Sequence, residues 1–165
     1  MIFQNFNNAT VTGVPYCIGG AQAPSGITVS SNTSKELQMP FITAINNNYY
    51  AGNISGNVYI SGTAGMDCSG FVCIVYDVWN SNAGRYSTHS LTSDNGPFKV
   101  SSAAPSYMDI YIKPGNHVMV VKGSIYYSSG HGVLPVYESA RSAGRTIENN
   151  RDLNGLSGYS TGVLR

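Results

Sequence analysis

The chain has 165 residues, enough for one domain with a real hydrophobic core. Nine Lys and Arg against eight Asp and Glu leave a formal charge of +1, with only 10% of residues charged; this excludes the electrostatic footprint of a nucleic-acid binder and a polybasic membrane patch. Polarity is carried instead by Ser, Asn, 19 Gly and 12 Tyr, a surface wetted by hydroxyls and amides as in many extracellular bacterial domains.

In chain order, residues 1–33 read as loop with a turn, and contain one apolar and glycine cluster, Val14-Pro15-Tyr16-Cys17-Ile18-Gly19-Gly20. The N-terminus has neither the basic start nor the apolar core of a secretory signal, so an export signal is expected to have been removed or to lie on a longer parent chain. Residues 34–48 open like a capped helix and then meet Pro40, which predicts a pair of short helices. A short strand is expected at Asn57–Ile60. Over 68–80 the apolar residues Phe71, Val72, Val75, Val78 and Trp79 share one helical face, with Asp67 at the N-cap position. A polar loop is expected over 81–105. Strands follow at Tyr107–Ile112, His117–Lys122 and Val133–Ser139, then weaker ones at Arg145–Glu148 and Tyr159–Leu164. Helices first and an antiparallel meander afterwards predict an α+β fold.

No apolar run approaches the roughly 18 residues of a membrane-spanning helix, so no membrane partner is expected. Three cysteines, Cys17, Cys68 and Cys73, are an odd number, and no disulfide framework is expected. No Cys-x-x-Cys occurs and His89, His117 and His131 are scattered, so neither a metal nor a cofactor is predicted. His89 and His131 read as exposed bystanders in polar turns, Trp79 as core, and Cys17 and Cys73 as small core residues.

The chemistry concentrates at Cys68. A cysteine in the first turn of a helix meets the positive end of the macrodipole and unpaired N–H groups, which favour the thiolate. His117, at the start of an apolar strand, supplies a base, and Glu138, near the end of the next strand, an orienting carboxylate if the two strands pair. Each of the three has a plainer reading as a core or solvated side chain.

Asp67-Cys68-Ser69-Gly70-Phe71-Val72 resembles the nucleophile signature of the NlpC-type cell-wall cysteine peptidases, a papain-like family of bacterial amide hydrolases. Pro15-Tyr16-Cys17-Ile18-Gly19-Gly20 is similar to that family's Pro-Tyr-x-x-Gly-Gly element. Met108-Asp109-Ile110 with His117-Val118 resembles its Gly-Asp-x and His-Val strand, and Val136-Tyr137-Glu138 occupies the place of the strand that gives the third polar residue. These elements follow the family's order across residues 15–140. The resemblance implies a single NlpC-like catalytic domain over 1–165, with N-terminal helices packed on an antiparallel sheet and an insertion at about 21–66. It implies Cys68 as nucleophile, His117 as base and Glu138 as orienting group. Tyr16, Asp67 and Ser69 would line the pocket for the amino end of a stem peptide, and the Cys68 N–H would help form an oxyanion hole. The implied activity is hydrolysis of amide bonds in peptidoglycan stem peptides by a secreted or cell-envelope enzyme.

Three departures qualify this expectation. The link from Gly20 to Cys68 is longer than the family's, and Gly123–Gly132, with Tyr126-Tyr127, lengthens a hairpin. Glu138 stands where the family has His, Asn or Gln, closer to the related CHAP amidases. The alternatives are a non-catalytic module that binds peptidoglycan or another glycan through Tyr- and Asn-rich loops, and a papain-like acyltransferase or amidase acting on a non-wall substrate.

Overall fold

A computed structural model describes residues 2–4, 10–24, 27 and 29–165. The fold is α+β, as expected, and divides into two compact units, residues 1–85 with 139–147, and residues 86–138 with 148–165.

The first unit opens with an antiparallel pair, β1 (Ile2–Gln4) and β2 (Thr10–Thr12). Two short helices follow, α1 (Lys35–Gln38) and α2 (Phe41–Asn46). Ser34 caps α1 by accepting from the Leu37 N–H. Pro40 separates the two helices: the residue before it, Met39, is held in extended backbone, and Pro40 stands at the N-cap of α2, just ahead of its first residue Phe41. The strand expected at Asn57–Ile60 is absent. That stretch is bend and irregular chain, and the pairing falls just outside it, where β3 (Tyr50–Ala51) runs parallel to β4 (Thr63–Ala64).

Helix α3 (Cys68–Tyr76) starts where the sequence predicts but ends four residues before the expected 80. Asp77 takes a left-handed conformation and its N–H caps the Cys73 carbonyl, so Val78 and Trp79 lie beyond the helix. Trp79 still packs against the unit's core of Val14, Phe41, Ala44, Met66 and Ile74. The cluster at 14–17, expected to be loop, is paired on two sides. Pro15 bridges Arg145 antiparallel, and Tyr16 bridges Met66 in parallel.

The second unit is built on a sheet whose strand order is β10 (Arg145–Asp152), β9 (His131–Ala140), β7 (His117–Val121), β6 (Ile110–Lys113), β11 (Ser160–Leu164), β5 (Phe98–Ser101), with β8 (Tyr126–Ser128) paired to β9. The first three residues of β10 and the last two of β9 belong to the first unit. The expected meander is present in β6, β7, β9 and β10. The expected loop over 81–105 instead contains β5, and β11 inserts between β5 and β6. Residues 118–121 of β7 are all buried, which explains an unbroken apolar run where a one-sided strand would alternate.

Register then fixes which face His117 occupies. Val120 pairs with Tyr137 and Val121 with Val136. Alternation puts His117, Met119 and Val121 of β7 on one face with Leu134, Val136 and Glu138 of β9. Met119, Val121, Leu134 and Val136 form the core on that face, and the two polar residues terminate it.

Candidate active site

The first unit carries Cys68, Asp67, Ser69 and Tyr16. Asp67 is the N-cap of α3, in extended backbone, and its carboxylate receives five donors. Oδ1 accepts from the Gly70 N–H at 2.7 Å, the Ser69 hydroxyl at 3.1 Å and Arg85 Nη1 at 2.8 Å. Oδ2 accepts from the Gly19 N–H at 2.9 Å and Arg85 Nη2 at 2.8 Å. Burial alone would raise this carboxyl, but Arg85 and the two N–H groups more than offset it and hold Asp67 below the ordinary carboxylate range. With five donors on about four lone-pair positions, Asp67 has no acceptor left for a substrate ammonium. Ser69 donates its hydroxyl proton to Asp67, which leaves the lone pairs of its own oxygen for another donor.

Cys68 is 6% exposed, and all three cysteines are thiols. The glycines around it are required by close backbone packing. A Cβ on Gly70 would stand 2.2 Å from the Gly20 carbonyl, and one on Gly20 would stand 2.5 Å from the Gly65 carbonyl. These contacts give a physical reason for Gly after Cys68-Ser69 and for Gly20.

Tyr16 is held through its backbone by the Gly144 carbonyl and the Asn53 N–H, each at 2.8 Å. Burial pushes its hydroxyl well above the ordinary tyrosine range, and the Asp67 carboxylate pushes it further. It therefore presents a neutral phenol. Ser139 donates to the Met66 carbonyl at 2.7 Å, two residues before Cys68.

The second unit carries His117 and Glu138, and it brings them together at 2.6 Å between Nε2 and Oε2. A carboxylate only accepts, so Nε2 carries the proton, and in the neutral ring Nδ1 carries the lone pair. Glu138 is fully buried, while the His117 side chain is 16% exposed. The same carboxylate also accepts from Arg151 Nε at 2.9 Å, Arg151 Nη2 at 2.7 Å and Asn149 Nδ2 at 2.8 Å. Burial works to raise Glu138, but the hydrogen bonds from His117, Arg151 and Asn149 prevail and hold it at about 2.

Arg85, Asn149 and Arg151 escape the sequence reading. Arg85 sits in a polar loop with no local pattern to mark its partner. Asn149 and Arg151 were legible in principle, since extending the predicted strand at 145–148 with period two would have placed both on one face. Glu148, a conceivable substitute for Glu138, is exposed and paired with Lys122.

Among the described residues no group of three His, Cys, Asp or Glu side chains could hold a metal ion, and no helix is long and apolar enough to cross a membrane. Comparison with family models, curated proteins and solved structures returns no match for this chain.

Proposed function

We propose that the chain is a papain-like cysteine hydrolase of NlpC type, which cleaves an amide bond in a bacterial cell-wall stem peptide and works in the envelope or outside the cell. The observation that carries this reading is the 2.6 Å bond from His117 Nε2 to the buried carboxylate of Glu138. A fully buried acid that fixes the tautomer of a partly exposed imidazole is what a general base requires. The Asp67 cap at the start of the helix that begins with Cys68 supports the same reading.

The reaction follows from these groups. Nδ1 of His117 takes the Cys68 thiol proton, and the thiolate adds to the scissile carbonyl carbon. The Cys68 backbone N–H receives the oxyanion. As the tetrahedral species collapses, the C–N bond breaks and the imidazolium gives its proton to the departing amine, leaving a thioester on Sγ. Water then gives a proton to Nδ1 and adds to the thioester, and the C–S bond breaks to release the acid and the thiolate. The amino end of the peptide meets Ser69 and the neutral hydroxyl of Tyr16, with Asp67 acting through Ser69 and not as a direct charge partner. No cofactor takes part in any of these steps.

Alkylation by iodoacetamide tests the pairing of Cys68 with His117. At pH 6 a cysteine of ordinary acidity, near 8.5, is almost all thiol and reacts slowly. Cys68 should react at pH 6 at least tenfold faster than it does in His117→Ala. Equal rates in the two proteins would refute the pairing.

A further inference from the structure

We infer that Glu138 and Arg151 act together on His117 as one electrically neutral acceptor, which makes Arg151 and Asn149 positioning residues of the site. This rests on the hydrolase reading given above.

The carboxylate of Glu138 has four lone-pair directions and all are used. Oε1 takes Asn149 Nδ2 and Arg151 Nε, and Oε2 takes Arg151 Nη2 and His117 Nε2. Arg151 therefore grips both oxygens with a planar fork that fixes the carboxylate in rotation as well as position. Asn149 and Arg151 stand two apart on β10, so one face of that strand delivers both donors. The carboxylate has no freedom left to swing, so the ring's partner is fixed in place.

The electrostatic consequence is as definite as the geometric one. A lone buried carboxylate beside an imidazole would favour the imidazolium strongly. Here a guanidinium, charged at every working pH, sits on the same carboxylate, and the two charges cancel to first order. The titratable and charged groups facing the cluster within this unit are His117, Glu138 and Arg151, with Tyr159 facing Arg151. Glu148 is committed to Lys122. The imidazole thus sees a rigid acceptor of nearly zero net charge, which is what a neutral amide would give, reached by a charged route.

This predicts that removing Arg151 rescues a protein that has lost the Glu138 charge. Glu138→Gln keeps an acceptor but leaves the Arg151 charge uncompensated next to the ring, where it opposes imidazolium formation. Removing that charge as well, in Glu138→Gln with Arg151→Met, leaves a neutral amide and no opposing cation. The probe is iodoacetamide at pH 6, with thermal melting to confirm that each protein is folded at the assay temperature. Glu138→Gln should alkylate at Cys68 roughly tenfold more slowly than the wild type, because the uncompensated Arg151 charge disfavours a second cation beside it. The double variant should recover at least tenfold over Glu138→Gln. A double variant no faster than Glu138→Gln overturns the inference, because a purely structural Arg151 would add its loss to that of Glu138. The two levels separate through His117→Ala. If it alkylates as fast as the wild type, the hydrolase reading fails; if it is slow but the double variant does not recover, the neutral-acceptor inference alone fails.

Discussion

Arg85 and Asp67 are joined by two parallel hydrogen bonds, both 2.8 Å, at the residue immediately before Cys68. Their side chains are 19% and 11% exposed, so the pair is largely withdrawn from water. Removing one partner of such a pair strands the other, at a cost of about 3–5 kcal/mol. Arg85→Ala should lose stability in that range by denaturant unfolding. Asp67→Asn should also be costly although Asn is a good N-cap, because the cap survives and the counter-charge does not. An Asp67→Asn protein as stable as the wild type would show that Asp67 serves only as a cap.

Gly70→Ala should destabilise the first unit. The added Cβ would stand 2.2 Å from the Gly20 carbonyl, a backbone atom that cannot rotate away. Overpacking of this kind costs about 1–3 kcal/mol or more, read as a lower midpoint in urea. Gly144→Ala, where a Cβ would meet no atom, serves as a comparison for the cost of a left-handed glycine without crowding.

Acid should weaken the fold in a defined window. Glu138 is lowered from 4.5 to about 2 by its hydrogen bonds, against the effect of burial. A depressed acid stabilises the folded state above its unfolded value, so this contribution is complete above pH 4.5 and is lost as pH falls from there toward about 2. Asp67 adds a contribution of the same sign. Thermal melts of the wild type should fall steeply over that interval, and Glu138→Gln should show a shallower fall.

Labelling should be selective. Cys17 and Cys73 have no exposed surface, whereas Cys68 is 6% exposed. Peptide mapping after brief treatment with iodoacetamide at neutral pH should find the label on Cys68 well before the other two. Equal labelling of all three would deny Cys68 any special activation.

Much of this arrangement was legible in the chain because it is local. Asp67 before an apolar helical face gives the cap and the position of Cys68, and the unbroken run after His117 gives a buried strand with a polar residue at its end. What escaped is what depends on distant partners. Arg85 reaches back 18 residues to Asp67, and no periodicity announces it. The strand predicted at Asn57–Ile60 failed because an isolated Val-Tyr-Ile run among Gly and Asn had no neighbour to pair with, while the small flanking residues Ala51 and Ala64 could approach each other. The ends of α3 and β10 depart from the sequence pattern for opposite reasons. Asp77 stops the helix by adopting a left-handed turn that apolar spacing cannot foresee, and the polar residues Asn149 and Arg151 continue a strand because a buried carboxylate awaits them.

The most direct test of the central claim is digestion of purified bacterial cell wall, with mass spectrometry of the soluble products. The wild type should release stem-peptide fragments bearing a new amino terminus and a new carboxyl terminus at one amide bond, and Cys68→Ala and His117→Ala should release none above buffer. Release by Cys68→Ala at the wild-type rate, or no release by a wild type whose Cys68 is shown to be reactive, would contradict a cell-wall cysteine hydrolase.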